Sequence, residues 1–105
     1  MISFTYYPVF SKITKSKPTA IMLSYIVELT HHNNPTRITN EQLAKDLHFN
    51  ITTIMKCKSK MKNLPFIEIS VAKVKDEYEQ VIGIISQYEI DIDKLVKYME
   101  KFENE

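Results

Sequence analysis

Apolar residues recur at helical spacing in five stretches of the chain and alternate with polar ones in two others. The opening ISFTYYPVF alternates weakly and is rich in β-branched and aromatic residues, which allows either a short strand or an extended arm packed on the core. Pro8 to Lys15 follows as a short helix with Val9, Phe10 and Ile13 inward. Lys17-Pro18 marks a boundary, because the residue before proline is pushed out of the helical region; Pro18 itself suits the first turn of the next helix. That helix, TAIMLSYIVELTHH, places Ala20, Leu23, Ile26, Val27 and Thr30 inward. It is expected to be the central core helix, broken by Asn33-Asn34-Pro35.

The stretch from Ile38 to Leu64 reads as two short helices joined by a tight turn. Thr39 can cap the first, and Gln42 three residues later completes a Thr-x-x-Gln capping box. Leu43, Ala44 and Leu47 then share one face. The helix stops near His48-Phe49, and Asn50 is a good N-cap for the second. Ile54, either Cys57 or Lys58, Met61 and Leu64 form its inner stripe, and Pro65 ends it. Its outer face carries Thr52, Thr53, Lys56, Ser59, Lys60 and Asn63.

At Pro65 the period changes. FIEISVAKV alternates with Ile67, Ile69 and Val71 on one side, Lys75 to Tyr78 is a polar turn, and QVIGIISQYEI is a second strand, so a hairpin is predicted over about 66–88. The last stretch is a helix over about 91–103, capped by Asp91, with Ile92, Leu95, Val96, Met99 and Phe102 as one stripe. No linker divides the chain, so residues 1–105 are expected to form a single α+β domain.

The paired helices at about 39–64 resemble the helix-turn-helix of winged-helix DNA-binding domains. The features that carry the likeness are Ala44 at the fifth helix position, Leu47 three later and Ile54 early in the second helix. His48 stands where such domains usually have glycine, in a turn whose backbone often takes positive φ; histidine is among the non-glycine residues enriched there. The aromatic lead-in, the basic segment and the AIMLSYI helix are similar to the N-terminal winged-helix modules of phage and plasmid replication initiators and related regulators. The resemblance implies a three-helix core with a β-hairpin wing, here with an extra C-terminal helix. It also implies sequence-specific or shape-dependent binding of double-stranded DNA in transcriptional regulation or replication initiation of a phage, plasmid or bacterium.

Charge sharpens this picture once it is divided by position. The net charge is +1, but residues 1–75 hold eleven Lys or Arg against four Asp or Glu, and residues 76–105 hold three against nine. A basic body and an acidic end suggest an anionic partner for the first and a separate role for the second. A single cysteine excludes an internal disulfide framework and suits the cytoplasm; no apolar run is long enough to span a membrane.

Candidate chemistry concentrates on the second helix of the pair. From Ile51 to Pro65 there are four lysines and no acid, although exposed helices normally gain from opposite charges one turn apart. Lys56 and Lys60 are one turn apart, flanked by Lys58 and Lys62. Asn50, Thr52, Thr53, Lys56, Ser59, Lys60, Lys62 and Asn63, with Lys73 and Lys75 on the wing, form the expected DNA-binding set. The helix has no arginine or glutamine, so binding is expected to rest largely on phosphates or DNA shape. The tip KVKDEYEQ is acidic beyond Lys75, which favours a rival reading as a protein-interaction module, an adaptor or inhibitor using the acidic wing and the C-terminal helix. Ile92, Leu95, Val96, Met99 and Phe102 are the expected dimerisation stripe. No enzymatic constellation, cofactor motif or metal site is found: His31-His32 are adjacent and face different ways, and Cys57 lies near the inner stripe.

Overall fold

The computed structural model describes residues 3–103, so Ile2 of the opening stretch and the last two residues of the terminal helix segment lie outside it. Helix α2 (Lys17–His32) is the hub. Met22 to Ile26 are buried without a break, so neighbours surround this helix on every side. The opening stretch is an extended arm and not a strand. Ser24 ties it down, donating to the Ala20 carbonyl (2.8 Å) and accepting from the Tyr7 amide (3.1 Å), while Phe4 packs on Tyr25 at 5.1 Å between ring centroids. Helix α1 (Val9–Thr14) buries Val9 and Phe10 beside α2, as its spacing predicts.

The next turn holds a strand that the hydrophobic pattern does not predict. β1 (Thr36–Ile38) pairs antiparallel with β3 (Val81–Ile90), and β3 pairs with β2 (Ile67–Lys75), giving a three-stranded sheet in the order β1-β3-β2. Three residues are too few to show an alternation. The Asn34 side chain prolongs the edge, donating to the Ile90 carbonyl (2.8 Å) and accepting its amide (3.1 Å) as a backbone group would.

Helices α3 (Asn40–Leu47) and α4 (Ile51–Met61) follow, joined through His48, Phe49 and Asn50. Thr39 accepts the Gln42 amide (3.0 Å), but the Gln42 side chain turns forward to Asp46 (2.7 Å), so only one arm of the expected capping box forms. Asp46 also accepts the Tyr25 hydroxyl (2.7 Å), which fastens α3 to α2. Burial works to raise the Asp46 pKa, but the bonds from Tyr25 and Gln42 and the nearby Lys45 charge act together against it and leave the carboxyl below its ordinary value. His48 takes the left-handed conformation (φ 57°), and Asn50 caps α4 by accepting the Thr53 amide (2.7 Å).

The core gathers Phe10, Leu23, Ile26, Leu43, Ile54, Met61, Phe66 and Tyr88, so α2, α3, α4 and the base of the hairpin share one interior. Of the two candidates for the inner stripe, Cys57 is buried and Lys58 lies beside it, half-buried. Helix α4 ends at Met61, and a turn through Leu64 leads to Pro65. The hairpin outruns this interior: Ile67, Tyr88 and Ile90 are buried, whereas Val71 is 64% and Ile84 69% exposed. Val71 therefore leaves the inner stripe assigned to it with Ile67 and Ile69, because the body beneath ends first. Helix α5 (Ile92–Glu103) begins at Asp91, whose carboxylate accepts the Lys94 amide (3.1 Å), and packs against α1.

Candidate nucleic-acid interface

The surface in question is the outer side of α4. Because Ile54, Cys57 and Met61 turn inward, Thr52, Lys56, Ser59, Lys60, Lys62 and Asn63 are held outward and exposed. Lys56, Lys60 and Lys62 have no ion-pair partner among the described residues. Three other expected contacts are differently employed. Asn50 gives its side-chain oxygen to the cap, leaving only its amide donors free. Thr53 is half-buried on the same turn. The Ser59 hydroxyl donates back to the Met55 carbonyl (3.2 Å), so its proton is occupied within the helix.

Lys58 is the residue that sequence reasoning passed over. Its Nζ donates to Asn40 Oδ1 at the start of α3 (3.1 Å) and to Ser86 Oγ on β3 (2.7 Å), and it lies 5.8 Å from the centre of the Tyr88 ring. Burial, then the neighbouring Lys62 charge, lowers its pKa. One ammonium thus joins α3, α4 and the hairpin. The only signal in the sequence is the ambiguity between Cys57 and Lys58 on the inner stripe. Beneath it, burial pushes the Tyr88 hydroxyl above its ordinary pKa range; its oxygen has no hydrogen-bond partner among the described residues. A groove of about 310 Å³ opens beside Lys58, lined by Thr39, Asn40, Val71, Ile84 and Ser86.

On the hairpin, Lys73 and Lys75 are exposed, but Lys75 is 3.6 Å from Glu79. Asp76 shapes the tip: its carboxylate accepts the amides of Tyr78 (2.8 Å) and Gln80 (2.9 Å), which helps hold Glu79 in the left-handed conformation (φ 65°). Val71, Ile82 and Ile84 are exposed along the strands that lead to this tip, and Tyr78 is exposed on the tip itself.

The terminal stripe divides. Leu95 is buried, and Met99 and Phe102 pack on the protein's own core, joined by Tyr98, which meets Phe66 at 5.6 Å and Phe102 at 5.2 Å. Only Ile92 (49%) and Val96 (46%) stay exposed from that set. Elsewhere, His32 lies 3.2 Å from Glu28 on its own helix. Among the described residues no group of three or more His, Cys, Asp or Glu could hold a metal ion, and no helix is long and apolar enough to cross a membrane.

No family profile and no curated protein sequence matches the chain. Among solved structures, it is similar to one described as a possible transcriptional regulator from Methanosarcina mazei Go1, with a TM-score of 0.64 at 12% identity. That likeness covers 97% of this chain and 86% of the other, so the two share an α+β fold over nearly their whole lengths.

Proposed function

We propose that the chain is a winged-helix domain that binds double-stranded DNA through the outer face of α4. The observation that carries this reading is the set of exposed, unpaired ammonium groups on a helix without an acid, Lys56 and Lys60 in one row and Lys62 at its C-terminal end. Phosphates would satisfy them, and released counterions would favour the complex. Helices α2, α3 and α4 supply the three-helix core, β2–β3 the wing, and the turn at His48 takes the positive φ that such domains favour. The neighbour described as a possible transcriptional regulator supports transcriptional control over replication initiation. A homodimer would draw on Ile92 and Val96, the exposed part of the terminal stripe.

A second reading, a winged-helix module that binds another protein, is favoured by the hairpin. Val71, Ile82 and Ile84 are exposed along its strands, behind a tip whose acids DNA would repel. The experiment is fluorescence anisotropy on random duplex DNA between about 50 and 200 mM salt. Replacing Lys56 and Lys60 together with alanine should weaken binding to every duplex and flatten the log–log salt slope by about 0.9 for each lysine. Unchanged affinity would remove the surface on which DNA binding rests. Reversing Glu77 and Glu79 to lysine should strengthen DNA binding; under the second reading the parent binds duplexes poorly, and this reversal costs a protein partner.

A further inference from the structure

The expected contacts on α4 leave two of its exposed side chains unexplained. Met55 is 56% exposed in the middle of the helix, and Ile51, one turn earlier, is exposed as well. Every other apolar side chain of α4 is buried: Ile54, Cys57 and Met61. Residues i, i+4 and i+8 form one row on a helix surface, so Ile51, Met55 and Ser59 run beside Thr52, Lys56 and Lys60. An apolar row therefore lies against a cationic one on a single exposed face. Leaving a methionine there forgoes the gain of burying it, unless a partner covers it.

The cations define that partner. Lys56, Lys60 and Lys62 call for a polyanion, and the apolar row calls for a hydrocarbon group presented between its charges. Duplex DNA supplies both in its major groove, where phosphates flank base edges and the thymine C5-methyl is the main apolar feature. The polar readers on this helix are few. It has no Arg or Gln, Ser59 spends its proton on the Met55 carbonyl, and Thr53 is half-buried. Thr52 and Asn63 stay exposed as polar readers, and methyl contact is the direct readout that the apolar row adds to them.

We infer that Met55, supported by Ile51, reads thymine methyl groups in the major groove, giving a preference for A·T-containing sites. This rests on the proposal that α4 binds duplex DNA and supplies the base class it selects. The test uses one missing methyl group. A preferred duplex is selected from a random library with the parent protein, and its thymines are then replaced one at a time by deoxyuracil, which pairs alike but lacks the methyl. At one or two positions affinity for the parent should fall about fourfold, the worth of one buried methyl group. The Met55→Ala variant, altered only at an exposed side chain and checked by thermal melting, should bind thymine and deoxyuracil duplexes equally. If deoxyuracil has no effect on the parent, or the same effect on both proteins, the methyl-reading role is overturned while DNA binding stands. If the parent binds no duplex at all, the DNA reading and this inference fall together.

Discussion

Helix α4 and the β2–β3 hairpin leave the core as neighbours, joined through Lys58, yet they distribute apolar and charged side chains differently. In α4 three apolar residues, Ile54, Cys57 and Met61, are spent on the interior, and only Ile51 and Met55 face out, beside outward lysines that stay unpaired. In the outer hairpin the balance inverts. Val71, Ile82 and Ile84 face solvent, while Lys75 lies by Glu79 and Asp76 is bound into the turn. An element built like the first is suited to a polyanion, which brings charge but little apolar area. One built like the second suits a surface that removes hydrocarbon from water. The contrast explains why a single function sits more easily on the helix than on the hairpin.

The largest expected effect concerns the apolar residues themselves. Ile54→Ala opens a cavity where α4 meets α2 and α3, and should cost about 2–5 kcal/mol of unfolding free energy. Ile84→Ala, at an exposed position on the hairpin, should stay within about 0.5 kcal/mol. Urea titration of both variants measures the difference. A large loss at Ile84 would mean that the outer hairpin is covered in solution, and the comparison would then have to include its partner.

A smaller effect is expected at the joint. Lys58→Ala removes hydrogen bonds to Asn40 and Ser86 and should cost about 1–2 kcal/mol, given that both partners can recover water. Under the proposed binding of DNA by α4, losing this inward-pointing ammonium should weaken affinity without changing the salt slope, whereas Lys56→Ala lowers the slope by about 0.9. A slope change of that size at Lys58 would make it a phosphate contact and not a strut.

What was legible in the sequence follows the range of the forces involved. Caps act within one turn, so Thr39, Asn50 and Asp91 announced three helix starts that the structure repeats. The change of period at Pro65 likewise announced the hairpin. Alternation reports which side of a strand is apolar but not how far the body beneath it extends, so Val71 looked no different from Ile67. The same limit applies to α5, where one stripe was drawn through residues that the fold divides between core and solvent. Strand β1 was missed because its pairing with Ser86–Tyr88 is its only definition. Lys58 was missed because its partners lie 18 and 28 residues away.

The smallest effect compares the two turns directly. His48 between α3 and α4, and Glu79 at the hairpin tip, both hold a left-handed backbone without being glycine. That conformation costs a residue with a Cβ about 1–2 kcal/mol, of which glycine returns roughly half through its greater freedom when unfolded. His48→Gly and Glu79→Gly should therefore relieve similar strain, at most about 1 kcal/mol each. The readouts should differ. Helices α3 and α4 close over the shared core, so His48→Gly should raise the global unfolding midpoint. The tip has no core beneath it, so Glu79→Gly should slow amide exchange in the outer hairpin and leave the global midpoint nearly unchanged. Removing a carboxylate also changes the charge of the tip, so exchange is measured on the protein alone. Equal shifts in the global midpoint would show that the hairpin unfolds together with the body, and that its exposed side chains belong to one cooperative unit.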